Sequence, residues 1–175
     1  GSTFKLPSLV AVMEDFNVSL NEIVDIGNGV CFYSNERVAD SHPPEKSKIT
    51  VQEVFELSSN VGVTKVISRY YSKDPQKYID RLYKMNLNEP LNLPIPGEGK
   101  PYIKNTDDNS WSQISLQWIS YGYETRITPL QILNFYAAVA NDGKMMRPMF
   151  VKEIRKRGKA IKVFEPEVIN PAICS

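Results

Sequence analysis

The chain has 175 residues, 42% of them apolar and 23% charged, which is enough to bury one ordinary core and free of the bias that marks disordered or fibrous proteins. Twenty-one basic against twenty acidic side chains leave a formal charge of +1, so no excess is available to grip nucleic-acid phosphates or an anionic bilayer. The apolar stretches are far shorter than a spanning helix and none follows a basic leader, while two cysteines and a single His42 offer neither a metal-ligand spacing nor a serine–histidine dyad.

Leu6, Leu9, Val10 and Met13 recur at the spacing of one helical face, which predicts a helix from Ser2 to Phe16. Pro7 has no N–H and is tolerated near a helix start, so Ser2 belongs at the N-terminal end. From Asn17 to Lys48 the residues favour loops, with a short hairpin over GVCFY and ERVAD. Thr50 and Glu53 form a capping box that opens a helix through Leu57, with Val51, Val54 and Phe55 on its apolar side. Further helices are predicted from Val61 to Tyr71 and, with Pro75 at the first position, from Asp74 to Met85. The stretch 86–109 carries Pro90, Pro94, Pro96 and Pro101 and reads as an irregular connection, with Glu98 as a turn residue. TPLQILNFYAAVANDG reads as a helix capped by Thr128, opened by Pro129 and stopped by a left-handed Gly143. Apolar and charged residues alternate on both sides of Arg157 and Gly158, which predicts two antiparallel strands joined by a basic turn.

Two constellations could carry chemistry. Ser2 and Lys5 are three apart on a helix and therefore surface neighbours, on the stripe that also holds Leu6 and Leu9. Partial burial would disfavour the ammonium and leave more free amine, which is how a lysine replaces histidine as a base. The plainer reading is a capping serine and a lysine that extends its charge to water. Ser58 and Asn60, two apart at the end of a capped helix, could bracket a substrate amide, the hydroxyl moving a proton and the carboxamide hydrogen-bonding. They could equally terminate the helix. Ser19 and Asn21 share that spacing but sit in the loop region as turn residues. Trp111, Trp118, Tyr121 and Tyr123 either line a groove or pack in the core, His42 makes local hydrogen bonds, and Asp107 with Asp108 reads as a solvated pair.

The order GSTFK, TVQEVFELSSNVG, ISYGYETRITPLQILNFYAAVANDGKMMRP resembles the transpeptidase domain of penicillin-binding proteins, most of all the class B, division-type enzymes that cross-link peptidoglycan. The S-x-x-K and S-x-N pieces belong to a known signature completed by K-T-G. The resemblance covers nearly the whole chain and implies an α+β, serine penicillin-recognising fold, here mainly its helical part with an incomplete antiparallel sheet. It implies Ser2 as nucleophile, Lys5 as general base, Ser58 as proton relay, and Asn60 as the contact to the substrate amide and to Lys5. The implied partners are D-Ala-D-Ala stem peptides of peptidoglycan, β-lactam antibiotics, and other cell-wall synthesis or division proteins, with no cofactor, metal or nucleic acid. The work would be done at the outer face of the bacterial cytoplasmic membrane, with the anchor outside these residues. No Lys-Thr-Gly or Lys-Ser-Gly occurs, and Lys156-Arg157-Gly158 lacks the hydroxyl. Residues 1–175 are therefore expected to be a partial transpeptidase domain ending before the third motif, without the second oxyanion donor and not competent alone. Rival implications are a β-lactam sensor, a D,D-carboxypeptidase or a β-lactamase on the same fold.

Overall fold

The first turn fixes the orientation of the central helix. In the computed structural model, which describes residues 1–175, Ser2–Phe4 form one 3-10 turn that runs directly into helix α1, Lys5–Phe16. Pro7 is the third residue of α1, and the Thr3 carbonyl that its missing N–H would have met is left open to a donor from elsewhere. Asn17 ends the helix in the left-handed conformation at φ 52°, its N–H on the Met13 carbonyl. The apolar spacing predicts a single buried face, but Pro7, Ser8, Leu9, Val10, Ala11 and Val12 are all buried. α1 is a central helix covered on every side. Small residues permit this: Ser8 donates to the Ser120 carbonyl at 2.6 Å and lies 2.7 Å from the Tyr78 hydroxyl, so a polar group at the centre is satisfied.

Strand β1, Ile23–Asp25, comes next, then the hairpin of β2, Val30–Tyr33, and β3, Glu36–Ala39. Strand β4, Lys48–Thr50, returns antiparallel to β1. Helices α2, Val51–Glu56, α3, Asn60–Tyr71, and α4, Pro75–Lys84, follow. Strand β5, Tyr102–Ile103, lies inside the proline-rich connection and pairs with β6, Thr125–Arg126, across helix α5, Ser115–Ser120. Helix α6, Pro129–Val139, precedes β7, Met145–Met146, the hairpin of β8, Glu153–Lys156, and β9, Lys159–Val163, and finally β10, Val168–Asn170. The arrangement is α+β. The expected incomplete sheet is present as five separate antiparallel pairs, because no strand exceeds five residues and each pairs with one partner.

One core joins α1 to α3 through Val10, Val12, Val63, Val66 and Ile67, and continues through Ile79, Leu82, Ile119 and Phe135. The capping boxes at Thr50/Glu53 and Thr128/Gln131 are both formed. The end of α6 differs from expectation, since Ala140 caps it and Gly143 lies beyond at φ 75°. A side chain at Gly143 would put its Cβ 2.1 Å from the Cys174 carbonyl oxygen, so this glycine admits the C-terminal segment rather than stopping the helix. Glu98 also does more than turn the chain: its carboxylate accepts the N–H groups of Leu91 and Leu93 and fastens the irregular connection. Cys31 and Cys174 are free thiols. No helix is long and apolar enough to cross a membrane.

Candidate active site

Ser2 and Lys5 sit at the junction between the 3-10 turn and α1. Two elements from the far end of the chain hold that junction. Gly122, at φ 91°, brings its backbone so close that a Cβ there would lie 2.6 Å from the Gly1 carbonyl oxygen and 2.9 Å from Phe4 Cβ. From α6, the Tyr136 hydroxyl donates to the Thr3 carbonyl at 3.1 Å. Ser2 remains exposed while Lys5 retains only 1% of its surface, an inward-facing cation beside an outward-facing hydroxyl.

Lys5 Nζ reaches Ser2 Oγ at 3.2 Å, Ser58 Oγ at 2.8 Å and the Ser58 carbonyl oxygen at 2.5 Å. Ser58 arrives there through a left-handed turn at the end of α2. Its N–H donates to Phe55 and the next N–H, of Ser59, donates to Val54, the paired bonds of a Schellman ending. Glycine usually occupies that position, yet Ser58 adopts φ 54°. Ser59 then caps α3 by accepting from Gly62 N–H at 2.8 Å. Gly62 is needed for this close approach, because a Cβ there would stand 2.6 Å from Val54 Cγ2. Asn60 lies beside the network without joining it: Nδ2 donates to the Ala39 carbonyl at 2.8 Å, and no hydrogen bond links it to Lys5.

Burial pushes the Lys5 amine down from 10.5 to about 8, partly opposed by the negative field of Asp40. Roughly one molecule in ten is then uncharged at pH 7. An uncharged amine has two hydrogens and one lone pair. Ser58 offers two acceptors, its carbonyl and its hydroxyl oxygen, which leaves the lone pair for the Ser2 hydroxyl proton. The geometry therefore suits transfer of a proton from Ser2 to Lys5, with Ser58 as a second hydroxyl on the same nitrogen. The Ser2 N–H has no intrahelical acceptor, being at the start of the helical run, and is one donor available to an anionic oxygen.

The other candidates lie outside this cluster. Trp111 and Trp118 pack against the core, Tyr121 is buried, and Tyr123 is 60% exposed with its ring edge-on to Tyr121. His42 is exposed and makes no hydrogen bond, contrary to expectation. Asp108 is more than a solvated residue: bonds from the Tyr102 hydroxyl and from Ser110 hold its carboxyl down to about 2. Lys156, Arg157 and Gly158 form the exposed tip between β8 and β9. Sequence reading missed Asp40 and Gly122. The glycine could have been suspected from its position between Tyr121 and Tyr123 before a β-strand, but the carboxylate carries no local pattern.

Comparison with known proteins follows the same lines. The family model for the penicillin binding protein transpeptidase domain matches residues 1–172. The probable peptidoglycan D,D-transpeptidase PbpC of Pseudomonas aeruginosa is 24% identical over 168 residues, 96% of this chain and 28% of the relative. The penicillin-binding protein PbpB of Mycolicibacterium smegmatis is 26% identical over 176 residues, 95% of this chain and 26% of the relative. Among solved structures, penicillin binding protein 3 of Mycobacterium tuberculosis complexed with ampicillin is 28% identical and aligns with a TM-score of 0.80, covering 100% of this chain and 37% of that one. The chain thus spans about a quarter of the length of the curated relatives it matches.

Proposed function

The chain belongs to the penicillin-binding protein transpeptidase family, and we propose that the protein it represents is a peptidoglycan D,D-transpeptidase working through a serine acyl-enzyme. The observation that carries this reading is the buried Lys5 amine in hydrogen-bond contact with both the Ser2 and Ser58 hydroxyls. In the proposed reaction Ser2 Oγ attacks the carbonyl between two terminal D-alanines of a stem peptide, and its proton passes to Lys5 Nζ. The carbon–nitrogen bond breaks as that proton is delivered, through the Ser58 hydroxyl, to the leaving amine. An amine from a neighbouring stem peptide then attacks the ester and gives a proton to Lys5, and the carbon–oxygen bond to Ser2 breaks as Lys5 passes that proton to Ser2 Oγ, completing the cross-link. Asn60 is proposed to bind the substrate amide through the part of its carboxamide that Ala39 does not hold.

A β-lactam presents a strained amide to the same hydroxyl, and ring opening leaves the departing nitrogen tethered in place, so a lasting adduct is the proposed outcome. The names of the relatives, peptidoglycan D,D-transpeptidase and penicillin-binding protein, support both substrate classes. Because stem peptides lie outside the cytoplasmic membrane, the outer face of that membrane is the proposed place of work. An oxyanion hole needs two donors, and the Ser2 N–H is the one we assign here. No Lys-Thr-Gly or Lys-Ser-Gly segment among these residues offers the other.

The test uses the full-length protein and a fluorescent penicillin. Labelling of one site, abolished in Ser2→Ala and followed by cross-linking of stem peptides, is the expected result. Labelling that persists in Ser2→Ala overturns the assignment of the nucleophile. Rapid loss of the adduct instead identifies a β-lactamase, and a stable adduct without cross-linking a sensor.

A further inference from the structure

We infer that Asp40 is a positioning residue for this site, its carboxylate clamping the corner between α2 and α3 so that Ser58 meets Lys5. The inference rests on the acyl-enzyme reading above. Asp40 follows directly on β3, and its N–H is itself fixed on the Gly29 carbonyl at 2.9 Å. The carboxylate spans the first turn of α3. Oδ1 accepts the Val61 N–H at 2.9 Å, and the Ser59 hydroxyl is shared between Oδ1 at 3.0 Å and Oδ2 at 2.9 Å. Beside it the Ala39 carbonyl takes the Asn60 amide at 2.8 Å. Two consecutive residues at the end of a strand therefore hold three consecutive residues at the start of a helix.

The clamp answers a specific need. Ser58 immediately precedes the clamped residues and sits at φ 54° without being glycine, a conformation disfavoured for a residue with a side chain. An anion bonded to the Val61 N–H, in the first turn of a twelve-residue helix, is in the favourable place for charge as well. The same charge reaches Lys5. Around the amine the polar neighbours are the Ser2 hydroxyl and the hydroxyl and carbonyl of Ser58, and Asp40 supplies the charged influence upon it. Asp40 thus acts twice without touching substrate, by fixing where Ser58 stands and by limiting how far burial lowers the basicity of Lys5. The space beside the clamp is a cavity of about 350 Å³ whose walls carry His42, Glu45, Lys46 and Glu53 as well as Ile26 and Ile49, so the carboxylate is held at the edge of the core rather than deep within it.

The experiment compares Asp40→Asn, Asp40→Ala and Ser59→Ala in the full-length protein, measuring the rate of acylation by a fluorescent penicillin from pH 5 to 10 together with thermal unfolding. Asp40→Asn keeps an acceptor oxygen but removes the charge. Its plateau rate is expected to fall on the order of tenfold to a hundredfold, the scale of a slight misplacement of reacting groups, and its acid limb to move to lower pH because Lys5 loses the field that raises it. Ser59→Ala, which loses one arm of the clamp and keeps the charge, should lower the plateau and leave the limb where it is. A merely structural aspartate would lower the plateau in Asp40→Asn without moving the limb, and that outcome overturns the inference, as does an unchanged profile. If Asp40→Ala fails to fold, Asp40→Asn and Ser59→Ala still decide. Failure of Ser2→Ala to abolish labelling would defeat the acyl-enzyme reading instead, so the two failures are distinguishable.

Discussion

The corner between α2 and α3 and the hairpin of β8 and β9 are both built from short segments, yet they are held by opposite means. At the corner, residues from three separate parts of the chain converge on Ser58–Val61: Lys5 from α1, Ala39 and Asp40 from the end of β3, and Val54 from α2. In the hairpin every residue of β9 is exposed, and Ile154, Ile161 and Val163 keep 45%, 63% and 54% of their surface. Its order comes from local means, a backbone ladder and a two-residue turn in which Arg157 and Gly158 both have positive φ. A change at the corner must therefore disturb distant elements, whereas a change in the hairpin should stay where it is made.

Lys5→Met is the strongest way to break that contrast, because it removes the proposed proton acceptor while filling nearly the same buried volume. Acylation of the full-length protein should fall on the order of a hundredfold to ten-thousandfold, as expected for loss of a positioned base. The same variant carries a signed pH test. The folded amine titrates at about 8 and the unfolded one near 10.5, so between those values the unfolded chain holds a proton that the folded chain lacks. Stability of the unsubstituted protein should therefore gain with pH across that window relative to Lys5→Met, by at most about 3 kcal/mol, with no such gain below pH 8. Urea titrations of both proteins at pH 7 and pH 10 measure it. Parallel stabilities at the two pH values would mean that the lysine is not held in a desolvated state.

Gly62→Ala probes the corner through packing alone. A Cβ built there meets Val54 Cγ2 at 2.6 Å and Ser59 Oγ at 2.9 Å, so α2 and α3 must separate or Ser59 must abandon its cap. Overpacking of this kind costs about 1–3 kcal/mol. Acylation should drop as well, since the residues displaced are those that carry Ser58. Loss of stability with an undiminished rate would show that the corner can move without moving its hydroxyl.

The contrast also explains what could be read from the residues beforehand. The capping boxes, the proline at the head of α6 and the positive-φ turn of the hairpin are encoded within a few adjacent residues. The approach of Lys5 to Ser2 is legible for the same reason, being one helical turn long. The full burial of α1 is not, because it depends on α3, α4 and α5 closing around Ser8 and Ala11, and no local period records who the neighbours will be. Asp40 is the clearest case. It lies 21 residues before the N–H it accepts, in a segment whose composition reads as loop, and only the folded chain reveals the bond. Asn60 errs in the other direction, since the motif that draws attention to it implies a contact with Lys5 while its amide is turned toward Ala39.

The hairpin offers the smallest expected effect. Ile161 lies at the register shift of the β8–β9 ladder and is more than half exposed, so a shorter side chain there opens no cavity. Ile161→Thr keeps the β-branch that suits an extended strand and exchanges an exposed methyl-bearing arm for a hydroxyl. The unfolding free energy of this chain should stay within about 0.5 kcal/mol, the usual range for surface substitutions away from caps, cores and ion pairs. A loss well above that in chemical denaturation would mean that Ile161 is covered in solution. The hairpin would then be held by long-range contacts, as the corner is, and the distinction between the two regions would collapse.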